Sequence, residues 1–263
     1  MKDRLKISTN LYIVIVVYKK ELLHCKAFTS MKKHMAKINN LHLIIWNNSP
    51  EILIDKNQDD YEYFEAQNST LPIIYNSMTK KYLKSENDFL MISDDDTDYS
   101  NYDFKKLFDI LTTNESKTGI FIPQLYANNR LVSPGKRFLF KGKYIQSIKD
   151  GLIKSKNILG MNSGLIISYK CFNKMPLLFD ERLRFYGTDT DFFIRYEKHF
   201  DFLYVLPFKI QHDLSENNND KERTDFRRKD NLYALNIIFS NRSLIEKLLF
   251  KLYYLYINLK AMK

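Results

Sequence analysis

The sequence predicts an α/β protein, with a mixed sheet flanked by helices and a helical C-terminal tail. Three observations carry this. The run Leu11-Tyr-Ile-Val-Ile-Val-Val17 is continuously apolar and rich in β-branched residues, as in strands covered on both faces. A helix-spaced segment and a second apolar run, Leu41-His-Leu-Ile-Ile-Trp46, follow it, which is the spacing of a βαβ unit. A third run, Asp88-Phe-Leu-Met-Ile-Ser93, closes on three consecutive acids, Asp94, Asp95 and Asp96.

The elements follow in order. Between the first two strands, Tyr18 to Lys37 has helical spacing through Leu22, Leu23, Phe28 and Met31. The turn Asn47-Asn-Ser-Pro50 ends the second strand. A polar stretch, Asp55 to Thr70, precedes Leu71-Pro-Ile-Ile-Tyr75 and a helix over Ser77 to Leu83. After the acidic strand come a strand at Gly119-Ile-Phe-Ile-Pro123 and a basic, irregular segment from Tyr126 to Lys156. Leu165 to Ser168 reads as a strand, and Tyr169 to Met175 as a short helix stopped by Pro176. Tyr186-Gly-Thr-Asp-Thr-Asp191 opens a helix over Phe192 to Lys198. The strand Phe202 to Leu206 then delivers Gln211-His-Asp-Leu-Ser215. Asn217-Asn-Asn-Asp220 reads as a linker, and Leu232 to Met262 as a pair of helical patterns. The expected organisation is a main domain over residues 1–220 and a basic helical extension over 221–263.

A length of 263 residues suits one large domain with such an appendage. The two cysteines, Cys25 and Cys171, lack metal-ligand spacing and read as reduced thiols. The run Leu11–Val17 is too short to span a bilayer, so a cytoplasmic location is expected. A net charge of +10 favours polyanionic partners without choosing among them. No nucleic-acid-binding motif is present, and the acidic clusters would repel phosphate unless a metal intervened. Nucleic acid is therefore not an expected partner.

Chemistry concentrates in two acidic clusters. Ligands of open α/β sheets sit beyond the carboxyl ends of the strands, where Asp94-Asp-Asp96 lies. Carboxylates there suit the hard cations Mg²⁺ or Mn²⁺, which share their coordination with substrate phosphates. Read alone, the triplet is either such a site or a solvated turn capping a helix near Tyr102. An EF-hand loop is excluded, because Tyr99 and Lys105 stand where it needs Gly and Glu. Asp189 and Asp191 open a helix behind Gly187, and either serve its dipole or supply a general base. His212 follows a strand and is either structural or a ligand.

The order of these motifs resembles the family 2 glycosyltransferases of the GT-A fold, especially small bacterial enzymes of lipopolysaccharide and capsule synthesis. Ile13-Val-Ile-Val-Val-Tyr18 resembles their opening strand. Ile44-Ile-Trp-Asn-Asn-Ser-Pro50 resembles their nucleotide loop, and Ser93-Asp-Asp-Asp-Thr97 their metal motif. Asn162-Ser-Gly164 resembles the donor-sugar loop. Phe179-Asp-Glu-Arg-Leu183 and Tyr186-Gly-Thr-Asp-Thr-Asp-Phe-Phe-Ile-Arg195 resemble the acceptor-side block with the catalytic base.

The resemblance implies an inverting hexosyl transfer from a nucleotide-diphosphate-sugar, such as a UDP- or dTDP-sugar, to a hydroxyl of a glycan or lipid-linked acceptor. It implies that Val17, Tyr18 and Asn47 line the base and ribose, with Asn76 near the ribose or diphosphate. Asp94 and Asp95 would face the nucleotide-sugar, and Asp96 would bind Mn²⁺ or Mg²⁺ with His212. Ser163 and Gly164 would shape the sugar site, Asp189 would be the base, and Tyr186, Gly187 and Asp191 would face the acceptor. Two departures stand out: Asn47 replaces a frequent Asp, and Thr188 a frequent Glu. No Gln-x-x-Arg-Trp motif or membrane span accompanies the domain, which argues against a processive polymer synthase.

In the tail, Leu244 to Lys263 intersperses lysines with Leu, Phe and Tyr. It reads either as an interfacial helix on an anionic inner membrane or as a helix packed on the domain or on a second subunit. The rival enzyme class is a metal-dependent phosphohydrolase or nucleotidyltransferase, although no glycine-rich phosphate loop supports it. A catalytically inactive partner subunit is the other alternative.

Overall fold

The computed structural model describes residues 9–35, 37–52, 54, 60–175, 177–211, 221–240 and 244–261. In chain order the elements are β1 (Asn10–Val17), α1 (Lys26–Met35), β2 (Leu41–Asn47), β3 (Glu62–Glu65), α2 (Leu71–Tyr82), β4 (Asp88–Asp94) and α3 (Phe104–Asn114). Then come β5 (Ile120–Ala127), β6 (Arg130–Ser133), β7 (Gly135–Phe138), β8 (Lys141–Lys143), β9 (Gly151–Lys154), β10 (Ile158–Leu159) and β11 (Ile166–Ser168). The chain continues through α4 (Tyr169–Lys174), α5 (Thr188–Tyr196), β12 (Phe202–Gln211), α6 (Lys221–Ser240) and α7 (Leu244–Ala261).

The main sheet runs β3-β2-β1-β4-β11-β5-β12-β9, with β6 paired to β5, and a small sheet runs β10-β7-β8. β1 pairs in parallel with both β2 and β4, while β11 inserts antiparallel between β4 and β5. The α/β expectation holds, with a mixed sheet. The apolar run of β1 serves two layers. Leu11, Ile13, Ile15 and Val17 pack with α1 and α3 through Phe28, Met31, Phe104 and Leu107. Val14 and Val16 pack on the other face with Ile74, Tyr75 and Met78 of α2 and Phe192 and Phe193 of α5. Successive strand residues face opposite ways, so an uninterrupted apolar strand is what a three-layer fold requires.

Several elements differ from expectation. α2 starts at Leu71 as one continuous helix with Pro72 in its first turn, where proline's missing N–H costs nothing. The segment expected to be irregular carries β6 to β9, whose short and partly exposed strands have no strong alternation to read. β3 is an edge strand with only Tyr63 and Phe64 partly covered. β12 continues past Pro207 to Gln211 by shifting register between Val205 and Lys209, the irregularity a strand proline calls for. α6 begins at Lys221, earlier than the apolar pattern indicates.

Candidate active site

The carboxyl ends of the central parallel strands converge. Val16 of β1 stands in register with Trp46 of β2 and Asp94 of β4, and Val17 with Asn47. Backbone bonds stitch the loops beyond them: Asn48 N–H donates to the Val17 carbonyl at 2.8 Å, and Lys19 N–H to Ser49 Oγ at 2.9 Å. Tyr18 projects outward beside them, exposed. Buried Asn47 donates through Nδ2 to the Ile52 carbonyl at 2.9 Å and to Tyr63 Oη at 3.1 Å. Its Oδ1 accepts from Ser49 N–H at 3.0 Å. In this chain Asn47 therefore shapes the loop through an amide, and a carboxylate could not make the two donations.

The three acids do not share one role. Asp95 accepts an ion pair from Lys20 Nζ at 2.6 Å, and its carbonyl receives the Ala27 N–H at the start of α1. Burial raises the Asp95 pKa, the Lys20 ammonium opposes that rise, and the Asp96 charge adds to it. Asp94 accepts a hydrogen bond from Ser163 Oγ. None of the three caps the next helix: Asp103 does so by accepting from Lys106 N–H at 2.9 Å. The purely capping reading of the triplet is thereby removed.

Ser163 is held over Asp94 by its own loop. Gly164 N–H donates to the Ile92 carbonyl at 2.7 Å, and Ile92 N–H to the Leu165 carbonyl at 2.9 Å. Gly164 has φ of +77°, and a Cβ there would meet Pro123 Cγ at 2.8 Å, so both backbone sign and space call for glycine. On the far side of this loop Asn162 Nδ2 donates to Thr188 Oγ1 at 3.3 Å, so three residues link the acid triplet to the second acidic cluster.

Asp189 lies in the first turn of α5, partly exposed, where the helix dipole favours its charge. Its Oδ1 accepts from Thr190 N–H at 2.7 Å. Burial holds its pKa above the ordinary carboxylate value. The Thr190 bonds pull the other way, and the nearby charge of Asp94 pushes it further up. The Asp94–Ser163 and Asn162–Thr188 hydrogen bonds place the two acidic clusters on either side of one short loop. Tyr75 of α2 is fully buried, and burial together with the charges of Asp94 and Asp189 raises its hydroxyl pKa. No hydrogen-bond partner for that hydroxyl exists among the described residues. In the sequence, Tyr75-Asn76 resembles the family's element before the metal strand, but only Asn76 is expected to have a role there.

Other expected site residues make contacts within the protein. Asn76 donates to the Phe179 carbonyl and accepts from Phe179 N–H, at 2.9 and 3.0 Å, pinning the segment around Phe179 to α2. Asp191 is buried and accepts from Arg195 Nε at 2.7 Å, while the same guanidinium donates to the Leu177 and Leu178 carbonyls. Tyr186 N–H donates to Asp230 Oδ2 of α6 at 2.9 Å. Gly187, at φ of +79°, lies so close to α6 that a Cβ would meet Ala234 Cβ at 2.7 Å. α6 thus packs against the Tyr186–Gly187 loop.

His212 lies outside the described residues. The end of β12 before it, Phe208 to Gln211, borders a cavity of about 90 Å³ with Asp98, Asn101 and Tyr102, just beyond the triplet. Among the described residues no group of three or more His, Cys, Asp or Glu is disposed to hold a metal. The donor set still fits a hard cation, because Mg²⁺-type ions commonly take one or two carboxylates and complete their shell with water and substrate phosphate. Asp94 and Asp96 would supply those oxygens.

No family model and no curated protein sequence matches this chain. Solved structures do. TarS from S. aureus aligns with a TM-score of 0.57 over 90% of this chain and 41% of its own length, at 12% identity. A shorter TarS structure, residues 1–349 in complex with UDP, aligns at 0.56 and 12% identity over 90% of this chain and 68% of its own. GalNAc-T7, solved with UDP, GalNAc and Mn²⁺, aligns at 0.53 and 10% identity over 79% of this chain and 44% of its own. The fold is of the GT-A type. These neighbours are glycosyltransferases, and at such identities the likeness speaks to the GT-A fold alone. The chain spans roughly two fifths of the length of the larger TarS and GalNAc-T7 structures.

Proposed function

We propose that the chain is a glycosyltransferase that moves a hexosyl group from a UDP- or dTDP-sugar to a hydroxyl of a glycan or lipid-linked acceptor, with inversion, in bacterial surface polysaccharide synthesis. One arrangement carries the reading: Ser163 Oγ donates to Asp94 at the end of the central strand, while its neighbour Asn162 donates through Nδ2 to Thr188 Oγ1, next to Asp189 at the start of α5. The fold neighbours solved with UDP support a nucleotide-sugar donor, and the GalNAc-T7 structure with Mn²⁺ supports a divalent ion.

In this mechanism Asp189 accepts the proton of the attacking hydroxyl, and its raised pKa makes it a stronger base than an ordinary aspartate. Asp94 and Ser163 bind the donor, and Asn76 and Asp230 hold the acceptor-side loop in place. Asp96, with Asp94, would hold Mn²⁺ or Mg²⁺, which when bound supplies positive charge against the departing diphosphate. The site assignments for Val17, Tyr18 and Gly164 follow the same reading.

The test is a thermal-shift series with UDP-, dTDP- and GDP-sugars, each with and without Mn²⁺. Stabilisation should require sugar nucleotide and metal together. Asp96→Ala should lose the metal-dependent part. If nucleotide is bound but hydrolysed or coupled to phosphate, with no sugar reaching any acceptor, the phosphohydrolase or nucleotidyltransferase reading takes its place.

A further inference from the structure

Among the described residues no helix is long and apolar enough to cross a membrane. α7 nevertheless has an unusual distribution of side chains. Phe250 is buried, and with Tyr253 and Tyr254 it joins a cluster containing Ile194, Ile238, Phe239 and Phe140. The opposite side carries Leu244, Ile245, Leu248, Leu249, Leu252 and Leu255, all exposed, with Leu244 at 83% and Ile245 at 73%. A surface helix normally turns charge toward water on that side. A contiguous apolar stripe of this kind marks an interaction surface.

The β7–β8 hairpin adds a second apolar point. Phe138 is 74% exposed and Leu139 follows it at the tip, with φ of +51°. A branched residue in the left-handed region is uncommon and costs backbone energy, and here it presents an apolar side chain to solvent. The next residue, Phe140, turns inward. Its ring lies 4.8 Å from Phe239, 5.6 Å from Phe250 and 5.5 Å from Tyr253, and Lys141 Nζ sits over the Tyr253 ring at 5.3 Å. The hairpin tip is thus docked on α7, and the two apolar points form one body.

Cations lie on the same elements. Lys136, Lys141 and Lys143 lie on the hairpin and Lys247 and Lys251 on α7, against Glu246 as the acid of these elements. A cavity of about 480 Å³ between α6 and α7, lined by Phe239, Leu244, Leu248 and Phe250 together with Lys247 and Lys251, is continuous with the stripe.

We infer that the α7 leucine stripe and the β7–β8 hairpin tip together seat the protein on an anionic lipid bilayer. The chemistry selects this occupant. Leucine and phenylalanine enter the acyl boundary while lysines reach anionic headgroups. A second copy paired about a two-fold axis through the stripe would bring each copy's lysines toward like charge. The inference deepens the proposed function, since a bilayer-seated enzyme meets a lipid-linked acceptor where it resides. The same α6 that carries α7 also binds Tyr186 beside the base.

The experiment is flotation of the full chain with phosphatidylcholine–phosphatidylglycerol vesicles and with pure phosphatidylcholine vesicles, at low and high salt. Wild type should float with the anionic vesicles, less at high salt. Phe138→Glu and the double variant Leu248→Glu/Leu252→Glu should each weaken partitioning at least about tenfold. All three positions are exposed, so melting temperature should hold and confirm folding. Equal flotation of wild type and Phe138→Glu overturns the two-element surface. Absence of wild-type flotation, with a dimer in light scattering that the leucine variant dissociates, overturns the lipid assignment in favour of a second copy. Nucleotide-sugar stabilisation measured on the same samples separates the two readings: flotation without it leaves the bilayer surface standing and removes the donor assignment.

Discussion

Asp230, buried in α6, accepts a hydrogen bond from the backbone N–H of Tyr186 at 2.9 Å, joining the C-terminal helices to the loop that presents Asp189. α6 therefore packs against the loop that leads into Asp189. Replacing Asp230 with Ala leaves that N–H without its acceptor. A loss of roughly 1–3 kcal/mol in urea unfolding is expected. A rise in the acceptor KM should accompany it, with donor binding unchanged, and an unaltered acceptor KM would remove the positioning role.

Asp189→Asn should lower turnover by about 10²–10⁴-fold while UDP-sugar binding by calorimetry stays intact. Loss of donor binding would instead assign Asp189 to the nucleotide. The proposed base must be ionised to act, so kcat/KM should rise with pH through the raised Asp189 pKa and level off above it. Activity should therefore fade on acidification earlier than an ordinary aspartate base would allow.

The same shift bears on stability. The folded-state pKa of Asp189 lies above its unfolded value, so protonation favours the folded form. Its contribution is present below the unfolded pKa and is lost as pH rises through the folded one. At neutral pH the ionised carboxylate thus lowers stability, and Asp189→Asn should raise the melting temperature there. The gain should vanish in acid, and a variant less stable at neutral pH would contradict this.

Tyr75→Phe removes a hydroxyl that burial and two carboxylates surround. An unsatisfied buried hydroxyl costs roughly 1–3 kcal/mol, so the variant should match or exceed wild-type stability. Marked destabilisation in thermal unfolding would mean that the hydroxyl is satisfied in solution.

Asp191→Ala strips the partner from Arg195, whose guanidinium ties α5 to the Leu177 and Leu178 carbonyls. Asp191 is 6% exposed, so breaking the pair should cost roughly 3 kcal/mol in chemical denaturation. A change in turnover alone, at constant stability, would move Asp191 from support to acceptor contact.

Strand identity and the acidic motif were legible in the residues themselves. β1, β2 and β4 are apolar on both faces because both faces are covered, and period and composition record that directly. The order of motifs also foretold the GT-A fold. Short edge pieces such as β3 and β8 were not legible, since few of their side chains are covered and no pattern is imposed on them.

What the sequence by itself determined is the inventory: a covered parallel core, three acids at a strand end and two more at a helix start. Only tertiary structure decided which acid meets which neighbour. Lys20 draws off Asp95, Ser163 takes Asp94, Arg195 takes Asp191, and Asp189 is left beside Tyr75 and Asp94. The reason is physical. A strand's period is written in its own residues, whereas an ion pair or a perturbed carboxylate depends on groups far apart along the chain that only packing brings within a few ångströms.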